Sequence, residues 1–400
     1  MIRKILHLDL DAFFCAVEEQ RDPTLRGKAF AVGGRPEERG VVASCSYHAR
    51  RFGVRSAMPM ARAMRLCPGL LVVPARHGVY SQVSRSVMER LSNLTPLVEQ
   101  ISIDEAFLDV SELPEPGEIS AKRLQQTIWD DLGLPCSLGV ASNKFLAKTA
   151  NDVGKAAAHH DGPPSAITMV LPGQEAAFLA PLPVEMLWGV GPKTAERLAE
   201  LGIRTIGDLA RFQEVELRRL FGKAGHEFAL RVRGIDDRPI VTTHAVKSIS
   251  QETTFSKDVV DASILRRTLH SLSESVGKRL RRANLTGATV RLKIRWSDFT
   301  TLTRQVTLVD ATDQDSQIYS TALRLFEKIW REGQPVRLIG VGVSGLGPPV
   351  RQLSLWEHFD EHQSTTASEK DRRLQTAVDI LRDRYGDQIV YRGSGKIRGE

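Results

Sequence analysis

KILHLDLDAFF, residues 4–14, and VEQISIDEAFLDV, residues 98–110, are the stretches on which the reading of this chain turns. In the first, alternation predicts a strand with Leu6, Leu8 and Leu10 on one face and His7, Asp9 and Asp11 on the other. The second is also strand-like and carries the adjacent acids Asp104 and Glu105. Carboxylates at the end of an apolar strand are costly to bury unless they are paired or metal-bound. If the two segments are neighbouring strands of one sheet, three or four carboxylates meet. Hard oxygen donors of this kind suit Mg²⁺, alongside water and substrate phosphates. Two such ions can activate an attacking hydroxyl and stabilise a leaving pyrophosphate. The competing reading makes Asp9 a helix N-cap and Asp104–Glu105 a solvated turn. The two segments alone do not choose between them.

At 400 residues the chain exceeds what one hydrophobic core usually organises, so two to four domains are expected. A hydrophobic fraction of 42% and a charged fraction of 26% are ordinary for a globular protein and argue against a fibrous, membrane-embedded or wholly disordered chain. Asp9 and Asp11 interrupt the apolar start before a signal-peptide core forms, and no run approaches the roughly 20 apolar residues of a membrane span. Cys15, Cys45, Cys67 and Cys136 form no CxxC pair and have no zinc-ligand spacing, which reads as free thiols in a reducing compartment. The expectation is a soluble cytoplasmic protein with no membrane association.

The net charge of +7 is unevenly spread. Residues 1–180 hold 20 basic and 20 acidic side chains, 181–242 hold 10 and 9, and 351–400 hold 9 and 9, whereas 243–350 hold 16 against 10. Within 276–296 there are seven basic residues and no acid. There ATVRLKIRW (288–296) alternates, so Arg291, Lys293 and Arg295 share one strand face and Val290, Leu292, Ile294 and Trp296 the other. A row of outward cations predicts an anion-binding sheet face; the alternative is an ordinary solvated one. Around it, strands near 246–255, 288–297, 300–309 and 336–343 and two helices with apolar stripes (Leu265, Leu269, Leu272, Val276, Leu280; Tyr319, Ala322, Leu323, Phe326, Ile329, Trp330) give a βαββαβ order.

Residues 183–202, PVEMLWGVGPKTAERLAELG, place Gly189 and Gly191 before Pro192 at a helix start, with Leu198 and Leu201 as apolar positions. This looks like a helix-hairpin-helix, whose glycines let backbone N–H groups approach a DNA phosphate without reading sequence, with Lys193 as a further contact. A plain helical packing corner is the alternative.

Taken together, HLDLDAFFCAVE (7–18), VVASCSYHARRFGVRSAMP (41–59), ISIDEAFLDV (101–110) and GVASNKFLAKTANDVGK (139–155) resemble, in order and spacing, the Y-family translesion DNA polymerases, most of all the bacterial DNA polymerase IV branch. The resemblance runs over about residues 2–345. It implies an α+β right-hand fold: a palm at 1–14 and 77–170, short fingers at 15–76, a helical thumb with the helix-hairpin-helix at 171–235, a linker at 236–242, a βαββαβ little finger at 243–345 and a tail at 346–400. It also implies that Asp9, Asp104 and Glu105 hold two Mg²⁺ ions, with Mn²⁺ as a substitute and the Leu10 carbonyl as a further ligand. Phe14 matches the steric gate that excludes a 2′-hydroxyl. Tyr47 and Arg50 match residues that hydrogen-bond the incoming triphosphate, and Lys155 matches a phosphate-binding lysine. The chain departs from the family after Lys155, where AAAHHDGPPS replaces the common Lys-Pro-Asn-Gly, and at Cys15, where a small Ala is common. Cys15 reads either as an oxidisable thiol near the sugar or as a buried inert one.

Implied substrates are a primed DNA template and dNTPs, the protein acting as a monomer. Its synthesis would be of low fidelity, tolerant of damaged templates and without a proofreading exonuclease. In the tail, Gln352, Leu353, Leu355 and Trp356 of RQLSLWEHF resemble the sliding-clamp-binding peptide of bacterial replication proteins, and residues 369–385 predict a short helix with Leu374, Val378, Leu381 and Tyr385 apolar. The rival readings are a palm-type nucleotidyl cyclase or nuclease using the same carboxylates, and a non-catalytic DNA- and clamp-binding protein.

Overall fold

The alternation in residues 4–14 becomes β1, Ile5–Leu10, in a computed structural model that describes residues 3–158, 162–349 and 366–386. β1 is the central strand of a five-stranded sheet and pairs antiparallel with β6 (Glu105–Asp109) on one side and β7 (Cys136–Ala141) on the other. β5 (Val98–Gln100) extends the sheet antiparallel beyond β6, and β8 (Ile167–Met169) extends it parallel beyond β7. The chain divides after His244 into two compact units.

Alternation predicted one apolar and one polar face for β1, but the sheet covers both. Leu6, Leu8 and Leu10 pack with residues of α4 (His77–Leu94) and α5 (Gly117–Leu132). On the other face lies α6 (Lys144–Ala157), whose Phe145, Leu146 and Ala150 cluster with Ile5. α6 can approach this closely because Gly139 of β7 lacks a side chain: a Cβ there would stand 1.8 Å from the Ala147 carbonyl oxygen. His7 and Asp11 are consequently fully buried.

Between β1 and β5, α1 (Phe13–Arg21) leads to a three-stranded sheet. Its middle strand β2 (Phe30–Gly33) runs antiparallel to β3 (Val42–Cys45) and parallel to β4 (Leu71–Pro74), with α2 (Tyr47–Arg51) and α3 (Met60–Leu66) between them in sequence. After β8 the first unit is helical: α7 (Glu175–Leu179), α8 (Pro192–Glu200), α9 (Ile206–Leu209), α10 (Glu214–Phe221) and α11 (Lys223–Arg231). Leu179, Leu198, Ile206, Leu217 and Phe228 form their core, whereas Leu201, read above as an apolar partner of Leu198, is exposed.

Residues 236–241 are tied to this unit. Asp236 accepts a hydrogen bond from the Phe145 N–H (3.2 Å) and pairs with Arg238. The Arg238 guanidinium lies 4.4 Å from the Trp188 ring centre. The Val241 N–H donates to Glu99, itself paired with the buried Lys144 at 2.8 Å.

The second unit has the βαββαβ order read from sequence: β9 (Ser248–Val259), α12 (Ala262–Arg282), β10 (Thr286–Trp296), β11 (Thr301–Thr312), α13 (Asp315–Ile329) and β12 (Val336–Gly347). The strands are longer than alternation alone indicated. They form an antiparallel sheet in the order β11-β10-β12-β9. Val290, Leu292 and Ile294 of β10 are fully buried with Leu265, Leu269, Val276 and Leu280 of α12 and Phe326 of α13. Helix α14 (Thr366–Tyr385) meets this unit through its polar residues: Asp379 pairs with Arg281 (2.7 Å), Arg382 with Glu274 (3.0 Å), and Gln375 bonds Asp315. Its apolar Leu374, Leu381 and Tyr385 stay exposed, because buried ionic groups on α12 and α13 select polar partners.

Candidate active site

The two acidic segments are neighbouring strands. Asp9 sits directly opposite Glu105, and the Leu10 N–H donates to the Asp104 carbonyl at 3.0 Å. Asp9 is not the cap of α1. That position belongs to Ala12, whose left-handed backbone (φ 47°) turns the chain sharply from strand to helix without a side-chain cap. A cleft of about 460 Å³ opens there, and Asp9, Leu10, Phe14, Tyr47, Arg50, Asp104 and Lys155 all line it. Glu105 does not: its carboxylate turns toward α6, 3.1 Å from the Lys148 ammonium and 3.7 Å from His7 Nε2.

Charge in this region is closely paired. Burial raises the Asp104 pKa and repulsion from Asp9 and Glu105 adds to it, against a hydrogen bond from the Ser102 hydroxyl at 2.5 Å. Glu105 is drawn down to about 2, chiefly by His7 and then by Lys148. At 3.7 Å the imidazole is beyond hydrogen-bond length, so the ammonium at 3.1 Å is the firmer anchor. Lys155 bridges Asp9 (2.6 Å) and Asp11 (3.1 Å). Burial alone would lower its pKa, but the two carboxylates outweigh that and raise it. Burial likewise pushes Asp11 up, opposed by Lys155, by the Ser165 N–H at 2.9 Å and by the Ser137 hydroxyl.

Sequence reading assigned no role to Asp11, His7, Lys148 or Asn151. Their signal was faint: Lys148, Asn151 and Lys155 recur at helical spacing, but nothing local says what that stripe faces.

Phe14 stacks on Tyr80, ring centres 4.2 Å apart and nearly parallel. The Tyr80 hydroxyl donates to Glu18 at 2.6 Å, and Glu18, one helical turn after Phe14, also pairs with Arg76. The Phe14 ring is thus braced from α4, a contact 66 residues away that sequence spacing does not reveal. Tyr47 opens α2 behind the Ser46 N-cap, and the Arg50 guanidinium lies 4.7 Å from its ring centre. Burial and the nearby Asp11 raise the Tyr47 pKa, keeping its hydroxyl protonated as a donor. Cys15 is buried and its thiol is pushed up to about 12, so of the two readings the structure favours the inert one.

Gly189 has a positive φ of 98°, and Gly191 caps α8 with Pro192 at its first position; Lys193 is exposed beside them. On β10, Arg291, Lys293 and Arg295 share the face opposite the core, with Lys293 paired to Glu252 at 2.7 Å. Gln352, Leu353, Leu355 and Trp356 lie outside the described residues.

Among the described residues, no group of three or more His, Cys, Asp or Glu side chains is disposed to hold a metal ion as it stands. The donor chemistry nevertheless fits a hard divalent cation. Asp9 and Asp104 share a cleft with Leu10, burial and then repulsion from Asp9 raise the Asp104 carboxyl, and ammonium groups sit on Asp9 and Glu105.

Comparison with known proteins agrees with this geometry. The impB/mucB/samB family profile matches residues 8–152, its C-terminal domain profile matches 246–355, and the helix-hairpin-helix profile of the same family matches 172–203. A Y-family DNA polymerase chimera of known structure superposes with a TM-score of 0.75 at 26% identity, over 86% of this chain and 100% of that one. The chain therefore belongs to the Y family of DNA polymerases, with its α+β right-hand fold. Within it the chain falls in the DNA polymerase IV branch: DNA polymerase IV of Desulfatibacillum aliphaticivorans is 40% identical over 96% of this chain and 95% of its own length. The enzymes of that name from Listeria monocytogenes (strain F2365) and Clostridium kluyveri are 41% and 37% identical, over 86% and 98% of this chain and 96% and 98% of theirs. No helix among the described residues is long and apolar enough to cross a membrane.

Proposed function

We propose that this translesion DNA polymerase extends a primer 3′ end on a DNA template with dNTPs through two Mg²⁺ ions, for which Mn²⁺ can substitute. Asp9, Asp104, Glu105 and the Leu10 carbonyl would hold the ions. When bound, the ions supply activation of the attacking 3′-oxygen and neutralisation of the leaving pyrophosphate. Tyr47, Arg50 and Lys155 bind the triphosphate, the first as a protonated hydroxyl donor and the others as cations. Phe14, braced on Tyr80, excludes a 2′-hydroxyl by contact with the sugar. The observation that carries this reading is the single cleft onto which Asp9, Asp104, Phe14, Tyr47, Arg50 and Lys155 all open.

The palm in this reading is 1–14 with 77–170, the fingers 15–76, the thumb 171–235 and the little finger 243–345. Gly189, Gly191 and Lys193 grip backbone phosphates, as do Arg291, Lys293 and Arg295. Small residues at the cleft, Ala43 and Ser44, leave the nascent base pair loosely enclosed, which supports low-fidelity synthesis past damaged bases. Gln352, Leu353, Leu355 and Trp356 bind the sliding clamp. The enzyme works as a monomer in the cytoplasm.

The test is extension of a primed template with Mg²⁺ and dNTPs. Asp104→Ala is expected to lower single-turnover incorporation by roughly 10³-fold or more; equal extension by both proteins rejects the mechanism. Phe14→Ala should admit ribonucleotides, and unchanged sugar discrimination would remove the gate assignment.

A further inference from the structure

Glu105 is the one of the three carboxylates that does not open onto the cleft. It is held back on the α6 side by Lys148, whose ammonium stands 3.1 Å from Oε2. The contact is built from several directions. Lys148, Asn151 and Lys155 form one stripe of α6, and the missing side chain of Gly139 lets that stripe press against β1. Asn151 donates to His7 Nδ1 (3.0 Å) and to the Ser137 carbonyl (3.1 Å), which leaves the proton of the His7 ring on Nε2, facing Glu105. Lys155 does for Asp9 what Lys148 does for Glu105. Glu105 and Lys148 remain about a quarter to a third exposed, at 25% and 30%, so the pair can part without unfolding the sheet.

An ammonium beside a ligand carboxylate repels an arriving divalent cation and competes with it for the oxygen it occupies. We propose, resting on the two-metal reading above, that Lys148 is a positioning residue. It holds Glu105 against α6 in the DNA-free enzyme and so weakens divalent-cation binding until the triphosphate arrives with its own charge. Lys155 is expected to leave Asp9 for the phosphates at that moment, whereas Lys148 restrains the remaining ligand and sets how readily a cation binds beforehand.

Lys148→Met keeps the stem and removes the charge, Lys148→Gln does so with a polar tip, and Lys148→Arg keeps the charge. The measurement is Mn²⁺ binding to the full chain without DNA or nucleotide, followed by the electron paramagnetic resonance signal of free Mn²⁺. Met and Gln variants are expected to bind Mn²⁺ roughly three- to tenfold tighter than the unmutated protein, the scale of removing one nearby, partly screened cation. Lys148→Arg should bind as the unmutated protein does. A purely structural lysine gives the opposite sign, since loosening α6 weakens the site. Unchanged or weaker Mn²⁺ binding by both neutral variants, with thermal unfolding intact in at least one, overturns the proposal. If Asp104→Ala leaves Mn²⁺ binding untouched in the unmutated background, the two-metal reading itself fails, which separates the two outcomes.

Discussion

β1 in the first unit and β10 in the second are both interior strands of largely antiparallel sheets, and both alternate apolar with charged or polar residues. They differ in what lies over the charged face. On β10 the apolar residues point into the α12–α13 core, and Arg291 stands in solvent. On β1 the charged face is roofed by α6, so that Asp9 and Asp11 share Lys155 while opposite them Glu105 meets Lys148. An open face gives cations that act at a distance and are weakened by salt. A roofed face gives charges fixed within ångströms, where burial and pairing set the protonation state.

Removing charge from each of these faces should therefore have different consequences. The largest effect is expected from Lys155→Met, which removes the cation shared by Asp9 and Asp11. Single-turnover incorporation should fall by roughly 10²-fold for the loss of a charge stabiliser in a preorganised site. Unlike a surface lysine, its loss should also lower the melting temperature, because the fully buried Asp11 is left without its ammonium. Normal thermal stability in that variant would mean that the roof over β1 is not held by charge. Next is the combined replacement of Arg291, Lys293 and Arg295 by Ala. The slope of log affinity for primed DNA against log salt should flatten by about two rather than three, because Lys293 is already neutralised in part by Glu252. Melting temperature should barely move, and an unchanged salt slope would show that this face does not meet DNA.

The smallest effect concerns Asp315 on α13, whose pKa burial pushes up to about 6 despite Arg281 at 2.8 Å, with Asp379 and Glu274 adding to the rise. An acid whose folded pKa lies above its ordinary 3.8 binds more protons in the folded state. Its contribution to stability is therefore present at low pH and is lost as pH rises through about 6. Asp315→Asn should flatten the stability-versus-pH curve between about 4 and 6. Urea denaturation at several pH values checks this, and a slope identical to that of the unmutated protein would assign the titration elsewhere.

Much of the second unit was legible because β10 and its neighbours obey a simple rule: one face to helices, one to solvent. Leu265, Leu269, Val276 and Leu280 recur at helical spacing, and all are buried where that spacing puts them. Helix α14 shows where the same rule misleads. Leu374, Leu381 and Tyr385 of its apolar stripe face solvent while Gln375, Asp379 and Arg382 dock, since the surface they meet carries Arg281, Asp315 and Glu274. In the first unit the carboxylates and Phe14 could be picked out, but their supports could not. Tyr80, Lys148 and Asn151 lie far along the chain from the groups they hold.

Local sequence specified the strand and helix patterns, two acidic strand-like segments, the concentration of basic charge in residues 243–350 and, through motif spacing, the family. Long-range packing brought the two acidic segments side by side, laid α6 over the acidic face of β1, divided the carboxylates between Lys155 and Lys148, and set Tyr80 against Phe14. Periodicity reports which residues of one element share a face. What that face meets depends on long-range packing, here on whether a glycine in β7 lets a helix come within reach.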